Sequence, residues 1–274
     1  MILPFLKELI KQLKKDDALG LSAQCAYYFL FSLFPFLMFL MSLLGYLPIS
    51  AWDVLQLVKA YVPQGVPLGM EENLHYVLDA KRGGALSFGL FASLLTASAA
   101  MDAIILAVNK AYGLPARESF IHSRLLAVAL TVGMLVVFFS ALLLSVFSHT
   151  IGAWMHEALN IPMDRVHWWD AFSWLLNMII LFLVFLAIYF IAPNACLTCK
   201  DVLPGAVTAT LGWHIASTGF SYYIEHWNYY NVLYGSLGGV MVLLTWFYVC
   251  AFLIILGGEI NAIAYLLYKR KQTP

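Results

Sequence analysis

The chain has 274 residues, of which 62% are hydrophobic and 11% are charged, and its formal net charge is zero. Soluble domains are about 45–50% apolar and about 25% charged, so this composition excludes an ordinary soluble protein. The charge also argues against a nucleic-acid partner, because neutralising phosphates takes clustered lysine and arginine. The composition therefore predicts an integral membrane protein.

Residues 1–17 are predicted to form a cytoplasmic amphipathic helix at the membrane surface. Leu3, Leu6, Ile10 and Leu13 recur at helical spacing and are interleaved with lysines, a pattern typical of helices that lie in the interface. The apolar segment that follows has no signal-peptide cleavage pattern. We therefore expect that segment to be kept as a membrane helix.

Six segments are apolar over the length of about 20 residues that a membrane-spanning helix needs. They are Cys25–Leu47, Ala85–Tyr112, Leu125–Trp154, Ala171–Pro193, Val202–Ile224 and Leu233–Tyr268. The sequence thus predicts an all-α, polytopic bundle of about six transmembrane helices, forming a single membrane domain over residues 1–274. Pro35 is expected to kink the first of these helices without ending it, since neighbouring helices can satisfy the freed carbonyl.

Lysine and arginine predict the orientation, because both are enriched in cytoplasmic segments. With both termini cytoplasmic, eleven of the fifteen lie inside and the outer loops hold only Lys59, Lys81, Arg82 and Arg165. Tryptophan agrees, since it favours the membrane–water boundary. The tryptophans at predicted outer boundaries are Trp52, Trp154, Trp168, Trp169, Trp174 and Trp227.

The longest connection, residues 48–84, is predicted to be an outer loop that contains short surface helices. Met70, Leu74, Val77 and Leu78 are helically spaced there among acidic residues. Helices lying on the lipid headgroups are favoured over a lid.

Small residues form a seam along the fifth apolar segment. Gly205, Ala209, Gly212, Ala216 and Gly219 recur at spacings of four and three, which allows close approach of a neighbouring backbone. A packing seam is favoured over a gating hinge. Its partner is either another helix of the same chain or a second copy in a homo-oligomer.

Ionisable residues within the apolar segments mark candidate functional positions, because charge at membrane depth is costly. Asp102 and Glu259 lie on helices that run in the same direction and at similar distances from Lys110 and Lys269. We expect the two acids to line one inward-facing cavity, with His214 as the basic residue nearest to that depth. The candidate polar site consists of Ser98, Asp102, Asn109, His214, Glu259 and Asn261.

Two interpretations of these polar residues remain open. A buried carboxyl group is stable only if it is protonated, hydrogen-bonded or paired with a cation. The acids then form a proton- or cation-coupled transport site. Alternatively, Ser98, Asn109, Tyr248 or Asn261 satisfies them and the polar groups only fix helix packing.

No enzyme motif is complete. Cys196-x-x-Cys199 is half of a zinc site without a second pair, and the segment beginning at His156 lacks the second histidine of a zinc-protease helix because residue 160 is asparagine. No phosphate-binding loop or nucleophile elbow occurs. We therefore expect neither metal nor cofactor, and no enzymatic activity.

Three segments resemble the YihY/BrkB family of membrane proteins: Ala26–Leu40 with its central Ser-Leu-Phe-Pro, Leu90–Ser119, and Tyr234–Ala262 with its Gly-Gly-Glu-Ile-Asn-Ala run. The resemblance implies a bacterial inner-membrane protein with about six helices. Labels in this family include predicted permease and ribonuclease BN. A nuclease needs a metal cluster or paired acid and base groups in a basic cleft, and the sequence contains neither.

These observations predict a transporter or permease that moves a small solute or a lipid-like amphiphile across the inner membrane. Asp102 and Glu259 would respond to protons or cations, and the protein's partners would be membrane lipids and an unknown substrate. The candidate hinge residues are Pro35, Gly238, Gly239, Gly257 and Gly258. The alternative is a non-transporting protein that scaffolds or assembles envelope machinery.

Overall fold

A computed structural model describes residues 2–44, 46, 83–115, 121–136, 139–140, 163–226 and 236–272. Over these ranges the chain forms seven α-helices of more than ten residues and no strand, which confirms the all-α prediction. The helices are α1 Ile2–Lys15, α2 Ala18–Leu44, α3 Gly83–Ala111, α4 Ile121–Val136, α5 Met163–Ile191, α6 Cys199–His226 and α7 Ser236–Gln272. The predicted outer loop lies outside the described residues, apart from Gly83 and Gly84, which begin α3.

Four of these helices are long and apolar enough to cross a membrane. The spans are Ala18–Leu43, Gly83–Ala111, Ala171–Ile191 and Gly238–Leu267, and they confirm a polytopic membrane protein. The predicted third span is described only over its first part, as α4, and α6 is long but less apolar. Spanning by α4 and α6, and the cytoplasmic placement of both termini, therefore stay predictions.

Local sequence explains two helix ends. Gly113 has a φ of 65° and donates its N–H to the carbonyl of Lys110 at 2.9 Å, so a glycine in the left-handed region terminates α3. The Asp201 carboxylate accepts bonds from the Thr198 N–H at 2.8 Å and the Thr198 hydroxyl at 2.6 Å. This capping arrangement starts α6 at Cys199, three residues before the predicted start.

The chain divides into two compact units, Tyr28–Ala97 and Met1–Tyr27 with Ser98–Pro274. In the first unit, α2 continues through Pro35 without ending there, as predicted, and the expected kink at Pro35 stays a prediction. A Cβ added to Gly89 of α3 would lie 2.7 Å from the Phe39 nitrogen and 3.0 Å from the Pro35 carbonyl oxygen. Glycine at position 89 therefore permits α3 to cross α2 next to the proline.

The core of the second unit surrounds the last part of α3. The buried apolar side chains there are Ala100, Met101, Ala103, Ile104, Ile105, Ala107, Val108 and Ala111. Helix α7 packs against α6 and α1, and α5 packs against α6. One cluster, made of Leu13, Ala18, Leu21, Ala107 and Ile255, joins α1, the start of α2, α3 and α7.

The first half of the small-residue seam on α6 packs against α7. A Cβ at Gly205 would clash with the Gly257 carbonyl oxygen, and one at Gly212 would lie 2.9 Å from Leu253 Cδ2. At Gly219, by contrast, an added Cβ would meet no atom of the described residues within 4 Å. The favoured packing interpretation therefore holds for Gly205 and Gly212.

The candidate hinge glycines of α7 differ in their surroundings. A Cβ at Gly257 would clash with the Tyr189 hydroxyl, and one at Gly258 would lie 3.1 Å from Val108 Cγ2. Glycine at both positions therefore allows another helix to approach closely. Gly238 is buried, whereas a Cβ at Gly239 would have no neighbour within 4 Å. A hinge role at these positions stays a prediction.

Candidate functional site

Glu259 is the most deeply buried carboxylate among the described residues. Its side chain is 1% exposed, and neither Oε1 nor Oε2 has a hydrogen-bond partner within the described ranges. It lies one helical turn after Ile255, and so on the face of α7 that meets α1, α2 and α3. An unpaired carboxylate in such a place is unfavourable by several kcal/mol or more, which makes Glu259 a candidate site for binding a proton or a cation.

The charged groups that interact with Glu259 come from the end of α1. They are Asp16 and Lys15. Asp16 is 9% exposed, and its Oδ2 also lacks a hydrogen-bond partner among the described residues. Burial raises the pKa of the Asp16 carboxyl above its ordinary value of 3.8, and the positive charges of Lys15 and Lys110 oppose that rise only in part. Two buried acids, one from each side of the α1–α7 contact, thus interact here.

Asp102 is paired with a cation. Arg124 of α4 donates from Nη1 to Asp102 Oδ2, and the two side chains are 30% and 32% exposed respectively. The expectation that His214 is the basic residue nearest to the depth of this acid is therefore wrong. It failed because Arg124 lies close to the start of its apolar segment and was assigned to the cytoplasmic charge belt.

The two predicted acids do not lie at one depth. Gly258 packs against Val108, which places Glu259 near the level of Val108 on α3. Asp102 precedes Val108 by six residues, or about 9 Å along a helix. The expectation of similar depth is wrong, because it took Lys110 and Lys269 to lie at one level, whereas Gly258 lies level with Val108.

Asn109 connects α3 to the turn between α5 and α6. Its Nδ2 donates to the carbonyls of Ile105 at 2.8 Å and Ala192 at 3.3 Å, and its Oδ1 accepts the Asn194 N–H at 2.8 Å. Asn109 is 2% exposed. It therefore satisfies backbone groups rather than either acid.

Asn261 plays a similar part between α7 and α6. Its Oδ1 accepts the Gly205 N–H at 2.6 Å, and the residue is fully buried. Its Nδ2 has no partner among the described residues. Both asparagines thus hold helices together, as the packing interpretation predicts, although their partners are backbone groups and not the carboxylates.

Tyr189 is a buried polar residue that the sequence did not single out. Its hydroxyl donates to the Ile254 carbonyl at 2.7 Å, and the side chain is fully buried. The same hydroxyl lies against Gly257. Tyr189 therefore fixes α5 against α7 one turn before Glu259.

His214 and Ser98 lie apart from Glu259 and Asp16. The His214 ring centroid is 5.5 Å from that of Trp174 and 5.3 Å from that of Trp213, and its Nε2 has no partner among the described residues. Gly212 packs on Leu253, which precedes Glu259 by about 9 Å of helix. Ser98 is fully buried on α3. The six predicted residues thus do not form one site.

An apolar groove of about 240 Å³ runs between α5 and α6. Its lining residues are Leu175, Met178, Ile179, Phe182, Val207, Thr210 and Leu211. Trp174 directly precedes the lining residues of α5, His214 follows those of α6, and their ring centroids are 5.5 Å apart, so an aromatic and a polar group lie near one end.

The described residues hold no group of three histidine, cysteine, aspartate or glutamate side chains that could bind a metal ion. Cys196 and Cys199 are both free and exposed.

Comparison with known proteins decides the family. The profile of the family described as "Virulence factor BrkB" matches residues 9–274. The chain belongs to the BrkB family. A relative named "Putative ribonuclease-like protein YfkH" from Bacillus subtilis is 44% identical to this BrkB-family chain over 270 residues, covering 98% of the chain and 97% of the relative.

More distant relatives carry a membrane-protein name. A "UPF0761 membrane protein" of Aliivibrio salmonicida is 28% identical over 92% of the chain and 81% of the relative. Another, from Photobacterium profundum, is 26% identical over 98% of the chain and 82% of the relative. No solved structure matches this BrkB-family chain.

Sequence reasoning missed three residues of this region: Asp16, Arg124 and Tyr189. Asp16 was treated as part of the N-terminal surface helix, although an acid directly before an apolar helix is a signal for interaction with the helix terminus. Arg124 was visible as a cation within one turn of an apolar segment. Tyr189 gave no signal, because a tyrosine in an aromatic-rich helix does not reveal which carbonyl it will meet.

Proposed function

We propose that this BrkB-family protein is a transporter or permease of the bacterial inner membrane, and that Glu259 is its proton-responsive group. The main support is that Glu259 is only 1% exposed and that neither of its carboxylate oxygens has a hydrogen-bond partner among the described residues. Ionisable side chains in membrane helices mark proton or substrate pathways. A residue that only fixes packing would be expected to have its oxygens satisfied, as Asn109 has.

A lipid-like amphiphile is the substrate class that the surface of the bundle favours. The groove between α5 and α6 is apolar along its length, and His214 and Trp174 lie near one end. Such a groove suits an acyl chain whose polar end lies beside the histidine. A small soluble substrate is the alternative, and membrane lipids are proposed partners in both cases.

A second candidate function is a non-transporting scaffold for envelope assembly. The specific observation in its favour is that Asp102, Asn109 and Asn261 are all used in contacts between helices. On this view Glu259 would also serve packing. The open end of the α6 seam at Gly219 fits a homo-oligomer in either case.

The test is mass spectrometry of molecules that co-purify with the protein in lipid nanodiscs. Wild type is compared with Glu259→Gln, which keeps the shape of the side chain, and with Glu8→Gln, which changes an exposed acid on α1. Transport through the Glu259 region predicts a lipid or solute that is enriched with wild type and Glu8→Gln but lost with Glu259→Gln.

Two further results would support the scaffold instead. One is an identical set of molecules for all three proteins. The other is a lower melting temperature for Glu259→Gln with that set unchanged, since the residue would then contribute to stability and not to binding.

A further inference from the structure

The turn between α1 and α2 directs two adjacent acids to opposite sides. Asp17 has a φ of 56°, a left-handed conformation that aspartate tolerates better than most residues. Its carboxylate lies against Gly20 at the start of α2, and the residue is exposed, whereas Asp16 is buried. The backbone of this turn therefore presents Asp16, and not Asp17, to the interior.

Helix α1 is held on the bundle by a narrow apolar face. Leu9 is 8% exposed and Leu13 packs into the cluster that contains Ile255, while Leu6 and Ile10 are 46% and 54% exposed. Because α1 packs against α7, and Glu259 follows Ile255 by one turn, Asp16 and Glu259 lie on the two surfaces that meet when α1 is docked.

Three buried carboxylate oxygens at this contact lack a donor among the described residues: Asp16 Oδ2, Glu259 Oε1 and Glu259 Oε2. A metal ion is disfavoured, because no third histidine, cysteine or acid joins them in the described ranges. The cations Lys15 and Lys110 also interact with Asp16 and would repel a metal ion. A proton satisfies the contact, since it removes one charge and turns a carboxylate oxygen into a donor.

We propose that Asp16 and Glu259 together bind a proton, and that this proton holds α1 against α7. Loss of the proton leaves two like charges in a buried contact, and α1 then separates from α7. The inference rests on the proposed function only in using Glu259 as the proton-binding group, and it requires no transported substrate.

The charges around the pair set the direction of the pH dependence. The titratable and charged groups at the pair and on the elements packed against it include Lys15 at the end of α1, Asp16 and Asp17 in the turn, Cys25 on α2, Lys110 on α3, Tyr189 on α5, Asp201 on α6, and Glu259 on α7. Burial raises the pKa of Asp16 when α1 is docked. The docked form therefore binds the proton more tightly than the undocked form, so docking is complete below the ordinary pKa of an aspartate and weakens as the pH rises through the raised value.

Hydrogen–deuterium exchange of the full-length protein in nanodiscs tests this inference. Exchange is measured in peptides of α1 from about pH 5 to about pH 9, with exchange times scaled to the intrinsic amide rate at each pH. The proteins are wild type, Asp16→Asn, Glu259→Gln and two controls, Glu8→Gln and Asp17→Asn, which change exposed acids of α1 and of the same turn. The titration is done in sodium and in choline salts.

The expected result is that α1 of wild type exchanges about tenfold faster or more at the alkaline end, while α1 of Asp16→Asn and Glu259→Gln stays protected throughout. Glu8→Gln and Asp17→Asn should follow wild type, and the salts should give the same profile. A flat wild-type profile, or a Glu259→Gln profile that follows wild type, would overturn the inference, as would protection that depends on sodium and not on pH. None of these outcomes depends on a co-purifying ligand, so the test is separate from that of the proposed function.

Discussion

Arg124 of α4 forms an ion pair with Asp102 of α3, and this pair changes the assignment of the two intramembrane acids. Asp102 has a protein partner and lies about 9 Å along α3 from the level of Glu259. Glu259 has no such partner among the described residues. One acid therefore joins two helices, and the other is the one that we propose binds and releases a proton.

The ion pair predicts that substitutions of its two residues have non-additive effects on stability. Arg124→Gln removes the cation that binds the Asp102 carboxylate, and Asp102→Asn removes the carboxylate that Arg124 binds, so each should lower the melting temperature. The double variant has no charge left to compensate and should be more stable than either single variant, by about 1 kcal/mol or more. Scanning fluorimetry of the four proteins gives the coupling, and strictly additive losses would show that the pair contributes nothing.

Two glycines of the α6 seam predict opposite effects of the same substitution. Gly205→Ala places a Cβ onto the Gly257 carbonyl oxygen and Asn261, so it should destabilise by about 1–3 kcal/mol or more. Gly219→Ala meets no atom within 4 Å and should stabilise by about 0.5–1 kcal/mol, because alanine is the better helix former. Melting temperatures of the two variants check this. Equal effects would contradict close packing at Gly205.

Tyr189 and Gly257 should be energetically coupled. Tyr189→Phe removes the hydrogen bond to the Ile254 carbonyl and should cost about 1 kcal/mol. Gly257→Ala is strongly destabilising in wild type, but less so in the Tyr189→Phe background, because the hydroxyl that the new Cβ would clash with is absent. The effect does not vanish, since the Gly205 carbonyl oxygen would still lie 2.8 Å away. A double-mutant cycle with no coupling would disprove the contact.

Tyr112, in the turn after α3, predicts a stabilising substitution. Its ring packs edge-on against Tyr265 with centroids 5.8 Å apart, but its buried hydroxyl has no partner among the described residues. Tyr112→Phe keeps the ring contact and removes the unsatisfied hydroxyl, so the melting temperature should rise by the equivalent of about 1 kcal/mol. Tyr112→Leu is the control and should lower it, because the aromatic contact is lost. A lower melting temperature for Tyr112→Phe would indicate that the hydroxyl is satisfied.

The sequence was a good guide to the helices, because membrane spans are set by apolar length and need no knowledge of neighbours. It also identified the seam at Gly205 and Gly212 from spacing alone. The predicted ends of the helices were less accurate. Helix α6 begins at Cys199 because the Asp201 carboxylate caps Thr198, and such a cap depends on side-chain geometry more than on hydropathy.

Partners of the polar residues could not be predicted in the same way. Helical spacing placed Asp102 and Asn109 on one stripe of α3, but it does not say which other helix meets that stripe or at what height. Arg124 and the Ala192 carbonyl are therefore known only from the fold. The electrostatic interaction between Asp16 and Glu259 is harder still to predict, because it involves residues near opposite ends of the chain.

Infrared spectroscopy of the reconstituted protein tests most directly whether Glu259 binds and releases a proton. The carbonyl stretch of a protonated carboxylic acid is recorded while the pH is raised, for wild type, Glu259→Gln and Glu8→Gln. If Glu259 binds a proton, a band should disappear on alkalinisation in wild type and Glu8→Gln and be absent or reduced in Glu259→Gln. The same spectra for wild type and Glu259→Gln at every pH would contradict it, because Glu259 would then exchange no proton.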